Sequence, residues 1–250
     1  MNFQRSSNPA FSDARMRNAV NTFIGEGTMT VKGTLTKVAL LFLLVLVTGS
    51  IAWKLVMSGN SIAYPLAIGG TIAALIFGFI ACFKPEKSYI FGPLYALAEG
   101  LTLGAWSAIA ELAFSGIVVM AVGSTLVVSG LVFAGYRFGF LKASATFKKV
   151  IIYATLGVAG FYLVSMLLNA FGMGVNLMNM GWFGVVIELI IVGIAALNLV
   201  LDFDMIEQYS EAGVPASMEW YCAYGLMVTL LWIYIEILKL LISIMARSRD

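Results

Sequence analysis

Histidine is absent from this 250-residue chain, and cysteine occurs only twice, as Cys82 and Cys222. Without imidazole there is no His-dependent catalytic triad, and two dispersed thiols cannot build a Cys/His zinc site, which argues against a hydrolase or zinc enzyme. Both cysteines lie in or beside apolar segments and read as small hydrophobes rather than as a disulfide framework. Charge is also scarce, at 11% of residues against 61% hydrophobic, with a mean hydropathy of +0.96. Soluble domains carry about 25% charged and about 45–50% apolar residues, so this composition belongs to an integral membrane protein whose partner is the lipid bilayer. A net charge of +2 with scattered bases also excludes a nucleic-acid footprint. One more absence is local. Between Lys149 and Lys239 there is no Lys, Arg or His, while the interval holds Glu188, Asp202, Asp204, Glu207, Glu211, Glu219 and Glu236.

What is present is a series of long apolar runs. A bilayer core about 30 Å thick takes ~20 helical residues, and the runs Val38–Met57, Tyr64–Phe83, Tyr89–Ala113, Gly116–Tyr136, Val150–Phe171, Gly181–Leu201 and Tyr221–Met245 meet that length. They predict an all-α bundle of seven transmembrane helices. Short connections separate them: "SGNS", "KPEKS", "FGFLKASATFKK" and "GMGVNLMNMG". The chain divides into an N-terminal segment 1–37, a transmembrane domain 38–246 and a short basic tail 247–250. In the first segment, Ser12 or Asp13 of "NPAFSDARMRNAV" is placed to cap a short helix. The first apolar run starts too late for a secretory leader, and no small-residue cleavage pattern precedes it.

Basic residues set the orientation. Arg5, Arg15, Arg17, Lys32 and Lys37 precede the first span, Lys84 and Lys87 follow the second, and Arg137, Lys142, Lys148 and Lys149 follow the fourth. The positive-inside rule therefore puts the N-terminus in the cytoplasm. Arg247 and Arg249 in the tail pull the other way, so a last segment that re-enters rather than crosses stands as the alternative.

Ionisable groups inside spans are costly and face the bundle interior, a partner or a pathway. At 1.5 Å per residue, Glu99 lies ~15 Å into the third span, Glu188 ~10 Å into the sixth from outside, and Glu236 ~22 Å up the seventh from inside. Asp202 and Asp204 mark the inner end of the sixth span, followed by Glu207 and Glu219. Glu188 and Asp202 are four helical turns apart and share a face. This ladder suits a carboxylate-lined route for cations or protons. The bland alternatives are a solvated helix end for the Asp202 cluster and an i,i+3 pair of Glu236 with Lys239. Asp202 and Asp204 point about 200° apart, which does not make an aspartyl-protease dyad. The glycines in "GEGTM", "LAIGGT" and "LGVAGF" lack a nucleotide-loop context and read as small residues for close helix packing. No enzymatic site is read from the sequence.

"PLYALAEGLTLGAWS" in the third span, "LDFDMIEQ" closing the sixth and "LLWIYIEILKLLISI" in the last make the chain resemble the Bax inhibitor-1/YccA family, also called the transmembrane Bax inhibitor motif family. The likeness runs from about Lys32 to Arg247 and is closest to the bacterial YccA-like branch. The resemblance implies seven helices with the last one central, a pH-sensitive calcium leak and residence in a bacterial inner membrane. It also implies a latch in which an aspartate near the end of helix six pairs with one in helix seven. The first maps onto Asp202. The family's "LYLDF" falls where this chain reads "VTLLWIY", putting Thr229 or a neighbour at the acid position, and the arginine associated with the latch is absent; Glu219, Glu236 or Glu99 is left as a substitute acid. Calcium favours oxygen ligands, with Asp202 and Glu99 as the first contacts and Asn198 as a further donor; no resident cofactor is expected. The branch also resembles proteins that bind and modulate a membrane AAA protease, and the basic N-terminal segment suits partner binding, so the second reading is a regulator of a membrane protease or of stress signalling that docks through that segment.

Overall fold

The computed structural model describes residues 27–172 and 180–248. The short helix expected at Ser12 or Asp13, and most of the "GMGVNLMNMG" connection, lie outside the described residues. Seven long helices follow in order among the described residues: α1 (Val31–Met57), α2 (Ala63–Phe83), α3 (Ser88–Ala113), α4 (Ile117–Arg137), α5 (Ala145–Ala170), α6 (Gly181–Glu211) and α7 (Met218–Arg247), with a 3-10 turn Pro85–Lys87 between α2 and α3.

The ends of these helices have local causes. Thr30 caps α1 by accepting from the Gly33 N–H at 2.9 Å, and Ser144 caps α5 by accepting from the Phe147 N–H at 3.2 Å. The Glu111 carboxylate, near the end of α3, accepts from the Gly116 and Val118 N–H groups at 2.6 and 3.1 Å. It thereby places an acid at the start of α4, where the helix dipole favours one. Gly116 itself has φ 82°, the left-handed conformation that lets the chain reverse between α3 and α4.

Six of the helices are long and apolar enough to cross a membrane; α3 is not among them. The third of the seven expected spans, Tyr89–Ala113, is thus a helix of 26 residues whose hydropathy falls short. The reason is composition: Pro93, Glu99, Glu111 and a series of Gly, Ser and Thr residues dilute it, and much of its length from Ala96 to Ala110 is buried in protein. The other helices turn Leu43, Leu46, Val119, Leu126 and Tyr153 outward, a surface that only lipid would cover. The predicted span limits were close except at α1, which starts seven residues before Val38 at Val31, and at α6, which runs ten residues past Leu201 to Glu211. Asp202 and Asp204 are therefore interior to a helix and do not mark its end.

The described residues fall into two units. One takes the chain up to Trp106 with Met205–Gly225; the other takes Ser107–Asp204 with the chain from Leu226. In the first, α1 and α3 cross where Gly49 meets Gly104: a β-carbon at Gly104 would overlap the Gly49 backbone, and one at Gly100 would overlap Thr48 and Val45. The packing expected of the glycines is found at Gly70, which lies against Ala98 and Leu101, but Gly157 and Gly160 of "LGVAGF" face open space. In the second unit, Phe133 of α4 packs edge-on against Phe203 of α6 at 5.3 Å, and Tyr136 lies against the same ring.

Candidate functional site

Glu188 and Asp202 of α6 and Glu236 of α7 lie in the second unit, and each has a different environment. Glu188, 3% exposed, accepts from the Ser243 hydroxyl at 2.9 Å through one oxygen, while its other oxygen is buried without a hydrogen bond. Lys239 and Arg247 act on it through space. Glu236, 2% exposed, has both oxygens occupied: Trp232 Nε1 donates to one at 2.9 Å, and the other takes the Tyr162 hydroxyl at 2.8 Å and Lys239 Nζ at 2.7 Å. Lys239 also donates to the Tyr162 hydroxyl at 2.7 Å and stands 4.4 Å from the ring centroid. The i,i+3 pair is therefore present, and Tyr162 of α5 extends it into a closed network.

Asp202 has Thr229 of α7 as its hydrogen-bond partner, and its second oxygen, Oδ2, is buried with none. Where the resemblance would put a second aspartate, this chain has a hydroxyl. Asn198, one turn before Asp202, donates to Thr155 at 2.9 Å and to the Ile194 carbonyl at 2.8 Å. Asp204 forms an ion pair with Lys148 at 2.5 Å. Glu207 and Glu211 are exposed on the last turns of α6.

The first unit holds Glu219 and Glu99. Glu219, 5% exposed, accepts from the Thr30 N–H at 2.8 Å, the Thr30 hydroxyl at 3.1 Å and the Lys37 ammonium, which also stands 5.5 Å from the Trp220 ring. Its carboxylate occupies the space that a Gly33 side chain would fill. The residues just before α1 continue this fastening: Met29 N–H donates to Val214 O and Ala216 N–H to Gly27 O, both at 2.8 Å. Glu99 is half-buried and lines a groove of about 460 Å³ with residues of α2 and Tyr224.

The base-free interval of the sequence is thus not a base-free neighbourhood. Lys148 reaches Asp204 and Lys37 reaches Glu219 through helix packing, and Lys239 at the interval's edge reaches Glu236 one turn away on α7. Among the fully buried carboxylate oxygens of the described residues, those without a hydrogen bond are one each of Glu188 and Asp202. Among the described residues no three of Cys, Asp and Glu gather as a metal cluster, so a divalent ion would meet these carboxylates singly. Sequence reasoning missed the hydroxyl partners Tyr162 and Ser243, while the resemblance had already put Thr229 or a neighbour at the position opposite Asp202. Ser243 bonds Glu188 across 55 residues and Tyr162 bonds Glu236 across 74, separations that leave no spacing signal in the sequence.

A family model described as Bax inhibitor 1 like matches the chain over residues 8–246. No curated protein sequence matches it.

Proposed function

The chain belongs to the Bax inhibitor 1 like family, and from that premise we propose that it is a non-enzymatic, pH-sensitive cation leak or exchange protein. On this reading it belongs to the YccA-like branch and sits in a bacterial inner membrane with its N-terminus in the cytoplasm. It crosses the membrane seven times with the last helix central, α3 being the interior span that its burial allows to be less apolar. Calcium and protons compete for the carboxylates of α6 and α7.

The observation that supports this best is the pair of incompletely satisfied oxygens on Glu188 and Asp202. A buried carboxylate oxygen without a donor is costly, and either a proton or a hard cation relieves that cost. The two residues are ~21 Å apart along one face of α6, as successive stations of a route would be. Protonation removes the negative charge, so flux responds to pH. With Thr229 opposite, the response at this position depends on one carboxylate rather than on two.

The test is calcium flux into proteoliposomes over a range of pH. Asp202→Asn is expected to abolish most of the pH response, and Glu188→Gln to lower flux. Wild-type pH dependence in both substitutions, in folded protein, would overturn the reading.

A second role, docking a membrane AAA protease or a stress-signalling partner through the N-terminal segment, is favoured by the fastening of Gly27 and Met29 to the α6–α7 turn, which fixes where that segment leaves the membrane domain. Deleting residues 1–26 spares those bonds. Loss of partner co-purification with flux intact would assign the segment this role; retention of the partner would refute it.

A further inference from the structure

The groove around Glu99 plays no part in the α6–α7 stations and has a chemistry of its own. One wall is a stripe of α2 that includes Leu75, Phe79 and Phe83 at helical spacing; these are 58%, 62% and 71% exposed on the lipid-facing side. The opposite wall presents Tyr95 and Glu99 from α3, joined by Tyr224 from the first turns of α7. The two tyrosine rings are fixed edge-to-face with centroids 5.3 Å apart, and the Tyr224 hydroxyl donates to the Gly78 carbonyl at 3.0 Å. Gly78 makes this possible, since a β-carbon there would press within 3.2 Å of both the hydroxyl and the Tyr95 ring.

Against this apolar and aromatic background, the Glu99 carboxylate has no hydrogen bond or ion pair with any described residue. An unpaired carboxylate favours a cation, and its surroundings select which kind. Calcium takes six to eight oxygens, and no second acid lines the groove. An alkylammonium, by contrast, gains from aromatic faces as well as from the carboxylate, and its chain is covered by the phenylalanines. The groove has no Lys or Arg in its lining, so the phosphate of a zwitterionic lipid would meet only a like charge, which rejects it.

We propose that the α2–α3 groove is a binding site for a lipophilic monoamine cation entering from the bilayer. Its ammonium sits on Glu99 beside Tyr95 and Tyr224, and its alkyl chain lies along Phe79 and Phe83.

The experiment is equilibrium dialysis of radiolabelled dodecyltrimethylammonium against the full-length chain in phosphatidylcholine nanodiscs, with empty nanodiscs as the blank. The expected result is saturable binding of one cation per chain. Glu99→Gln weakens it ten-fold or more, and so does Leu75→Trp, which enlarges a lining side chain into the groove while keeping the carboxylate. Excess dodecanol or dodecylphosphocholine does not displace it. No saturable binding, equal binding to Glu99→Gln, or displacement by either competitor would overturn the proposal. Because the readout is binding and not flux, a negative result leaves the Asp202 experiment standing, and the converse also holds.

Discussion

Gly33→Ala should change the sign of its effect when Glu219 is removed. In the native chain the Glu219 carboxylate fills the space beside Gly33 and is held by the Thr30 N–H, the Thr30 hydroxyl and the Lys37 ammonium. Hydrogen bonds to a charged group contribute about 1.5–3 kcal/mol each. The Glu219 side chain is only 7% exposed, but Lys37 is 23% exposed and partly screened, so the loss in Glu219→Ala is discounted to about 2–4 kcal/mol. A β-carbon at Gly33 expels the carboxylate and should cost a similar amount. With Glu219→Ala already in place, the obstruction is gone and Gly33→Ala is left with its helix-propensity gain of about 1 kcal/mol. For a chain of this size about 1 kcal/mol moves Tm by roughly 2–4 °C. Each single variant is therefore expected to melt roughly 4–16 °C below wild type, while the double variant melts above Glu219→Ala by roughly 2–4 °C. Thermal unfolding in detergent, followed by tryptophan fluorescence with Trp220 next to the site, measures all four proteins. If Gly33→Ala lowers Tm equally in both backgrounds, the carboxylate is not held where the structure places it, and the reasoning fails.

Other sites give independent tests. Gly104→Val drives a branched side chain into the Gly49 backbone and should destabilise by at least the about 1–3 kcal/mol of an overpacked core. Gly157→Ala, which meets nothing, should instead stabilise by about 0.5–1 kcal/mol; the same melting assay reads both. Thr229→Asp places a second acid opposite Asp202. Two carboxylates in contact hold a proton between them that one carboxylate would release, so the flux response in proteoliposomes should move to higher pH, and an unmoved profile would argue against Thr229 as the opposing group.

The helical architecture was legible because apolar runs near the bilayer length leave few alternatives, and every expected span contains a helix. The exceptions have physical causes. The predicted end of the sixth span stopped at the first acid after Leu201, because charge was read as leaving the membrane; the helix continues because Asp202 and Asp204 find Thr229 and Lys148 beside them. The third span was read from length alone, whereas burial lets α3 carry Glu99 and many small residues at the expense of its hydropathy. Each candidate acid could be found in the sequence, but its distant partners could not. Lys37 lies 182 residues from Glu219, and Tyr162 lies 74 from Glu236; contacts at such separations leave no periodic trace. The i,i+3 pair of Glu236 and Lys239 was legible because it is local.

The separation of Lys37 from Glu219 also orders events during synthesis. At about 5–20 residues per second, the lysine emerges roughly 10–40 s before its acid, and through that interval the start of α1 lacks both the counter-charge and the acceptor for the Thr30 N–H. The first helix can enter the membrane early, yet its entry point is secured only when the beginning of the seventh arrives. A chain halted before Glu219 therefore displays an unpaired lysine at the head of its first helix, a local mark that distinguishes unfinished from finished molecules.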